Sequence, residues 1–168
     1  MRDHTSRYWM VCCIWLVSCG LLGCGGQDRY EVSTESMSPT LAAGQVIYVD
    51  REAYTQPSEV QRWEIVLVDI PETSGPIARR VVGLPGEQIS YDGDRLLVNG
   101  HPLDVPDTLG AIYGGPIPSP SFPGAQDNWS SVLSEQEVFV LGDNLQMATD
   151  SRYYGPINFP HLLGKVRD

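Results

Sequence analysis

The clearest guide to the architecture of this chain is the run Ile77-Ala78-Arg79-Arg80-Val81-Val82-Gly83-Leu84-Pro85-Gly86-Glu87. Its middle part, residues 79–82, ends in β-branched residues and is typical of a β-strand. The following Leu84-Pro85-Gly86 is typical of a tight turn, because proline presets one backbone angle of a turn and glycine accepts a positive φ. A strand that ends in a tight turn predicts that this region is built from β-structure.

The same alternation of short strands and turns continues along the chain. Further strands are predicted at residues 45–49, 64–69, 95–98 and 137–141. Asn99-Gly100 predicts a hairpin, because both residues tolerate the backbone of its turn. No window of helical length carries a clean apolar stripe, and 17 glycines with 13 prolines disfavour a helical bundle. We therefore expect a mainly β protein with a twisted sheet or partly closed barrel.

One segment does not fit the strand pattern. Residues 102–134 are dense in Pro, Gly, Ser and Asp, which predicts a long surface loop. Together with the hairpin, this loop forms a predicted insert at residues 88–136, between core segments at residues 30–87 and 137–168. A loop of this size within a compact domain is usually functional or loosely ordered.

The charges and cysteines exclude several kinds of partner. The chain has 11 basic and 21 acidic residues and a net charge of −10, which repels phosphate backbones, so we expect no nucleic-acid partner. All four cysteines lie within the first 24 residues, which excludes structural disulfides and thiolate metal sites from the rest of the chain. With no metal or nucleotide motif visible, we expect no metal and no cofactor.

The first 24 residues are predicted to be a targeting segment. Arg2 and Arg7 precede an apolar run at residues 10–22, which is short for crossing a hydrocarbon core of about 30 Å but matches the apolar part of a signal peptide. Gly23-Cys24 resembles the end of a bacterial lipoprotein cleavage box, which would make Cys24 the lipidated first residue of the mature chain. The alternative is an uncleaved anchor helix. In both cases we expect export and tethering at the extracytoplasmic face of a bacterial membrane.

Two further segments accompany the run at residues 77–87. They are Glu35-Ser36-Met37-Ser38-Pro39-Thr40-Leu41 and Leu141-Gly142-Asp143-Asn144, the latter followed by Thr149-Asp150-Ser151-Arg152. In this order, behind a membrane segment, the three resemble the conserved boxes of type I signal peptidases, the serine–lysine peptidases of the S26 family. Residues 62–67 also resemble a strand of that family. The resemblance covers about residues 30–100 and 137–168, and implies an antiparallel β core with an insert and exported precursors or signal peptides as partners.

The resemblance implies roles for individual residues. Ser36 takes the place of the family's nucleophile, and Thr34 that of the hydroxyl which completes the oxyanion hole with the serine N–H. Two acid–base pairs match pairs that brace the family's site, Arg80 with Asp143 and Asp150 with Arg152. By position, the substrate groove would be lined by Met37, Leu41, Ile77 and Ala78, for which plain core packing is the alternative.

The position of the general base departs from the family pattern. The family has a lysine there, kept neutral so that it can take the proton of the serine, but this chain has Arg79. An arginine side chain stays protonated in proteins and has no lone pair to accept with. Ala148 stands where the family has a serine bonded to that lysine. Leu145 replaces the usual arginine after Gly-Asp-Asn.

Two functional interpretations therefore stay open. One is a membrane-tethered serine endopeptidase that cleaves signal peptides from exported precursors. The other is a catalytically silent relative that binds such segments without cutting them. A substitute base would have to be His161 or Lys165, which we expect to be structural. A self-cleaving repressor-type peptidase is disfavoured by the export segment and by the absence of a basic DNA-binding region.

Overall fold

The computed structural model describes residues 27–71, 73–118 and 129–167. The predicted targeting segment, including the lipidation candidate Cys24, lies outside the described residues. In the part of the chain that is described, no helix has the length and apolar character needed to cross a membrane.

The described chain folds into strands joined by short turns and single helical turns. The strands are β1 (Gln27–Glu31), β2 (Val46–Asp50), β3 (Ile65–Val68), β4 (Ile77–Gly83), β5 (Gln88–Tyr91), β6 (Leu96–Val98), β7 (His101–Pro102), β8 (Trp129–Val132), β9 (Glu137–Leu141), β10 (Ile157–Asn158) and β11 (Leu162–Arg167). Two short α-helices are α1 (Gly110–Tyr113) and α2 (Ser151–Tyr154). A seven-stranded sheet has the order β1-β2-β11-β3-β4-β9-β10, and a four-stranded sheet has the order β7-β6-β5-β8.

The mainly β, antiparallel architecture expected from the sequence is confirmed. The strands predicted at residues 45–49, 64–69, 79–82, 95–98 and 137–141 correspond to β2, β3, β4, β6 and β9. The hairpin joins β6 to β7, with Val98 opposite His101. Asn99 and Gly100 form its turn with φ of 51° and 78°, which are angles that asparagine and glycine accept more readily than other residues.

The expectation that residues 102–134 form only a surface loop is wrong for the parts of this segment that the structure describes. β8 pairs with β5 along its whole length, from Gln88 opposite Val132 to Tyr91 opposite Trp129. Tyr113, Ile117 and Leu133 are buried, and the backbone N–H of Ile117 donates to the Tyr91 hydroxyl at 2.9 Å. The insert is therefore anchored by apolar side chains spaced between its prolines and glycines.

β4 is the strand that organises the interior. It lies between β3 and β9 and is buried at every position after Ile77. Successive side chains of a strand point to opposite faces, so the adjacent residues Arg79 and Arg80 reach different surroundings. Arg79 lies against the segment that carries Ser36, whereas Arg80 lies against Asp143 after β9.

Candidate functional site

A single turn of 3-10 helix, Glu35–Met37, positions Ser36. Thr34 precedes the turn in an extended conformation and caps it, because its Oγ1 accepts a hydrogen bond from the Ser36 N–H at 3.4 Å. The same Oγ1 lies 2.8 Å from Ser36 Oγ. Ser36 is only 6% exposed. The turn therefore gathers two hydroxyl groups and one backbone N–H at one point.

The segment after β9 holds this turn from the other side. The Asn144 N–H donates to the Ser36 carbonyl at 3.0 Å, and Asn144 Nδ2 donates to the Glu35 carbonyl at 3.2 Å. Gly142 allows the close approach, because a Cβ there would lie 2.5 Å from Ser36 O and 2.3 Å from the Ala148 Cβ. A glycine is therefore required for the two segments to meet.

Arg79 is the closest cationic partner of the Ser36 hydroxyl. Its Nη1 donates to Ser36 Oγ at 2.7 Å and to the Ala78 carbonyl at 2.6 Å. Its Nε and Nη2 donate to the Thr149 carbonyl at 3.3 and 2.8 Å. Arg79 is 4% exposed. Because a guanidinium only donates, Ser36 Oγ is the acceptor in this contact and keeps its own proton.

The two further departures from the family pattern leave apolar side chains at the site. Ala148 is buried beside Gly142 and offers Arg79 no hydroxyl, and Arg79 bonds the carbonyl of the next residue, Thr149, instead. Leu145 is buried in a hydrophobic cluster that includes Tyr113 and Ile117. Leu145 therefore fixes this segment to the insert through packing rather than charge.

Arg80 and Asp143 form a buried bidentate ion pair. Arg80 Nε and Nη2 donate to the two carboxylate oxygens at 2.8 and 2.5 Å, and Nη1 donates to the Trp63 carbonyl at 2.7 Å. Burial acts to lower the pKa of Arg80, but the hydrogen bonds and charge of Asp143 outweigh it and raise the pKa. Asp143 also accepts from the Tyr113 hydroxyl at 2.6 Å and from Thr40. The pair therefore joins β4, the Ser36 segment and the insert.

Asp150 and Arg152 form a second buried bidentate pair. Arg152 Nε and Nη2 each lie 2.8 Å from a carboxylate oxygen of Asp150. Asp150 caps α2 and accepts from the Gly142 N–H at 3.0 Å, while Arg152 donates to the Pro118 carbonyl at 3.1 Å. Both side chains are almost fully buried, so their geometry places them as braces of the segment next to Arg79.

A shallow cavity opens beside Ser36. Three of the four predicted groove residues line it, Met37, Ile77 and Ala78, together with Thr34, Ser36 and Arg79. The fourth, Leu41, lies in the core cluster that contains Met37 and does not line the cavity. The cavity is bounded by the end of β1 and the start of β4.

The edges of these two strands are open to a further strand. β9 pairs with β4 only from Arg80 onward, and in the described part of the chain no strand pairs with residues 77–79 on that side. Among the described strands, β1 lies at the edge of its sheet and pairs with β2 alone. Unpaired strand edges offer backbone donors and acceptors to an extended peptide.

The candidate substitute bases lie elsewhere. Lys165 is on β11 and its Nζ bonds Glu64, and His161 is exposed beside Asp69, in a separate concavity. Among the described residues, the hydrogen-bond partners of Ser36 Oγ are Arg79 and Thr34. No group of described histidine, cysteine, aspartate or glutamate side chains is arranged to hold a metal ion.

Comparison with known proteins identifies the family. Residues 5–167 match the family model described as signal peptidase, peptidase S26. The chain belongs to the peptidase S26 family of signal peptidases. This S26 chain is 32% identical over 141 residues to signal peptidase I V of Bacillus subtilis (strain 168), covering 83% of each chain. It is 30% identical over 144 residues to signal peptidase IB of Staphylococcus aureus (strain COL), covering 82% of this chain and 74% of the relative.

A solved structure agrees with this S26 assignment. The crystal structure of a signal peptidase I from Enterococcus faecalis V583 matches with a TM-score of 0.50 and 28% identity. The match covers 64% of this chain and 97% of the other.

Several site residues of this S26 chain were not singled out by the sequence analysis. Gly142 and Asn144 belong to a quoted box, but their contacts with the Ser36 segment need the folded structure. Thr149 contributes a backbone carbonyl, which any residue type supplies. Tyr113 stands in the Pro- and Gly-rich insert, where its only sequence signal is a large aromatic residue among turn formers.

Proposed function

We propose that this S26 protein binds signal-peptide segments of exported precursors beside Ser36 and does not cleave them by the serine–lysine mechanism. The observation that carries the proposal is the hydrogen bond from Arg79 Nη1 to Ser36 Oγ at 2.7 Å. Attack by a serine hydroxyl needs a base that takes its proton as the bond forms. A guanidinium has no lone pair for that proton, so the residue at the base position holds the hydroxyl without activating it.

Binding is supported by the shape and lining of the cavity. Its walls combine apolar side chains, among them Met37, Ile77 and Ala78, with the open edges of β1 and β4. An extended peptide can add to such an edge through backbone hydrogen bonds, while shallow apolar pockets select small side chains. The relatives named signal peptidase support exported precursors as the source of the peptide.

A second candidate function, signal-peptide cleavage by this chain, is favoured by one observation. The Ser36 N–H, which donates to Thr34 Oγ1 here, and the Thr34 hydroxyl lie side by side, where an oxyanion hole would place its donors. General base catalysis contributes about 10²- to 10⁴-fold to a rate, so an enzyme with donors and no base would be slow. In this alternative the chain is a weak, membrane-tethered serine endopeptidase.

A cleavage assay separates the two functions. The purified full-length chain is incubated with a lipid-embedded precursor, beside the variants Ser36→Ala, Arg79→Lys and Arg79→Lys with Ala148→Ser. We expect no product from the wild type and a Ser36-dependent gain of cleavage in the double variant, because a neutral lysine with a bonded hydroxyl restores the base. Arg95→Lys is the matched control, since Arg95 is an exposed arginine that pairs with Asp94.

The possible results of this assay distinguish cleavage from binding without cleavage. Cleavage by the wild type that disappears in Ser36→Ala would establish the endopeptidase and reject the silent interpretation. Photo-crosslinking of the same precursor measures binding without turnover. A chain that neither crosslinks nor cleaves, in the wild type and in every variant, would reject this cavity as the site.

We also propose that the chain acts at the extracytoplasmic face of a bacterial membrane, held there by lipidated Cys24 or by an anchor helix. The support is the sequence pattern of the first 24 residues. Mass spectrometry of the mature N-terminus tests the choice, with Cys24→Ala as the control. An acylated Cys24 establishes lipidation, and an unmodified chain that begins at Met1 rejects it.

A further inference from the structure

Among the residues that the structure describes, Arg79 is a buried positive charge of the site without a counter-ion. Arg80 and Arg152 each form a bidentate ion pair with an aspartate. Arg79 is equally buried, yet its acceptors are the Ser36 hydroxyl and the backbone carbonyls of Ala78 and Thr149. Burying an unpaired charge is costly, and neutral acceptors compensate only part of that cost.

The acidic residues nearby do not neutralise Arg79. Glu31 lines the same cavity and Glu35 precedes Ser36, but both are exposed. Within the described part of the chain, neither carboxylate forms an ion pair with Arg79. A negatively charged ligand that enters the cavity would therefore supply the counter-ion of Arg79.

Arg79, Ser36 and Thr34 all line the cavity and carry hydrogen-bond donors. Nη2 of Arg79 carries two N–H groups and donates one of them to the Thr149 carbonyl. Ser36 Oγ accepts from Arg79, and because Ser36 Oγ and Thr34 Oγ1 share one hydrogen bond, one of their two hydroxyl protons stays available to donate to a ligand. A carboxylate, with two oxygens that accept several hydrogen bonds, matches this cationic and donor-rich set.

We propose that Arg79, Ser36 and Thr34 bind the C-terminal carboxylate of a peptide, so that the preferred ligand has a free C-terminus. This rests on the proposed function, which places a peptide in this cavity. An uncut precursor presents a neutral peptide group at the same point and leaves the Arg79 charge unpaired. A peptide that ends there, such as a signal peptide already released by cleavage, supplies the missing negative charge.

The test compares three synthetic peptides with one common sequence that ends in Ala-Gln-Ala. The first has a free carboxylate, the second a C-terminal amide, and the third continues for several residues. Affinities for the full-length chain are measured by fluorescence anisotropy. We expect the free acid to bind roughly tenfold or more tighter than the other two, because charge-assisted hydrogen bonds are stronger than neutral ones.

Variants assign the preference to Arg79. Arg79→Gln is expected to bind the acid and the amide equally, whereas Arg95→Gln, the same change at an exposed arginine, keeps the preference. The comparison of acid and amide on the wild type needs no variant, so it remains decisive if Arg79→Gln fails to fold. A melting curve of each variant monitors folding.

Each result decides a different claim. Equal binding of all three peptides, or tighter binding of the extended one, overturns the carboxylate site and leaves the proposed peptide-binding function intact. Binding of none of the peptides overturns both. A preference for the acid that persists in folded Arg79→Gln overturns the assignment to Arg79.

Discussion

Arg79 and Arg80 are adjacent buried arginines with different kinds of hydrogen-bond acceptor. Arg80 meets both oxygens of Asp143 and a backbone carbonyl, so its charge is balanced where it lies. Within the described ranges of the chain, Arg79 meets only neutral acceptors. At this scale the chemistry of the site follows from one property of the guanidinium, which donates hydrogen bonds and never accepts a proton.

The balance at Arg80 predicts the effect of removing its partner. Asp143→Asn keeps the side-chain volume but leaves Arg80 charged, 6% exposed and without a carboxylate. We expect the free energy of unfolding to fall by about 3 kcal/mol or more, because breaking a buried pair on one side leaves an uncompensated charge. Urea denaturation followed by tryptophan fluorescence measures the change.

Asp94→Asn is the matched control for this change. Asp94 pairs with Arg95 on the surface, where both side chains are more than half exposed, so its loss should have little effect on stability. Equal effects of the two substitutions would show that the Arg80–Asp143 pair does not stabilise the fold.

At the scale of elements, the site depends on how closely the segment after β9 approaches the Ser36 turn. A Cβ at Gly142 would lie 2.5 Å from Ser36 O and 2.3 Å from the Ala148 Cβ. We expect Gly142→Ala to separate the two segments and to destabilise the protein by roughly 1–3 kcal/mol, the usual cost of overpacking. Peptide binding should weaken with it, because the Asn144 contact that holds Ser36 is lost.

Gly115→Ala controls for the loss of a glycine as such. Gly115 has open space where a Cβ would be and no positive φ, so alanine should be tolerated there. Thermal unfolding and peptide anisotropy are measured on both variants. A Gly142→Ala protein that melts and binds like Gly115→Ala would contradict the close-packing argument.

Glu64 directly precedes β3, and its carboxylate accepts a hydrogen bond from Lys165 of β11. From this contact we predict a dependence of stability on pH. Burial acts to raise the pKa of Glu64, but hydrogen bonds from Lys165 and Tyr54 lower it below its usual value of 4.5. A carboxyl whose pKa is lower in the folded state stabilises the protein above its unfolded pKa and loses that contribution as the pH falls through the folded one. We expect the stability advantage of the wild type over Glu64→Gln to be constant near neutral pH and to shrink below pH 4.5.

Lys165→Gln tests the cause of this dependence. It removes the hydrogen bond and the charge that lower the pKa of Glu64, so the acid-dependent part of the stability should become smaller. Urea unfolding of the three proteins over a range of pH gives the comparison. A Glu64→Gln difference that does not change with pH would contradict the assigned shift.

The elements that the sequence predicted are those with local signals. Strands of β-branched residues that end in turns, such as β4 and β9, could be located, as could the Asn99-Gly100 hairpin. β8 was missed because its sequence, Trp-Ser-Ser-Val, carries little strand pattern and its partner β5 lies far away in the chain. The order of the boxes singled out Ser36 and Arg79 as candidates, but the hydrogen bond between them joins residues 43 positions apart and has no signal in the sequence.

At the scale of the whole molecule, one of the hydrophobic clusters belongs to both sheets. A single cluster contains Val82 and Phe139 from the seven-stranded sheet and Ile89 and Leu96 from the four-stranded sheet. Trp129 of β8 stacks on Phe139 with ring centroids 5.0 Å apart. The insert and the sheet that carries Arg79 are therefore expected to unfold as one cooperative unit, because neither sheet keeps a complete core when the other is lost.

Phe139→Ala tests this cooperativity. Phe139 is 2% exposed, and its truncation should lower the free energy of unfolding by about 3–5 kcal/mol. Far-ultraviolet circular dichroism and tryptophan fluorescence should report the same transition before and after the substitution. Val132→Ala, at a position on β8 that is 73% exposed, should leave both curves near the wild type. Two separate transitions, with the change in tryptophan fluorescence preceding part of the loss of β-structure, would mean that the four-stranded sheet unfolds on its own.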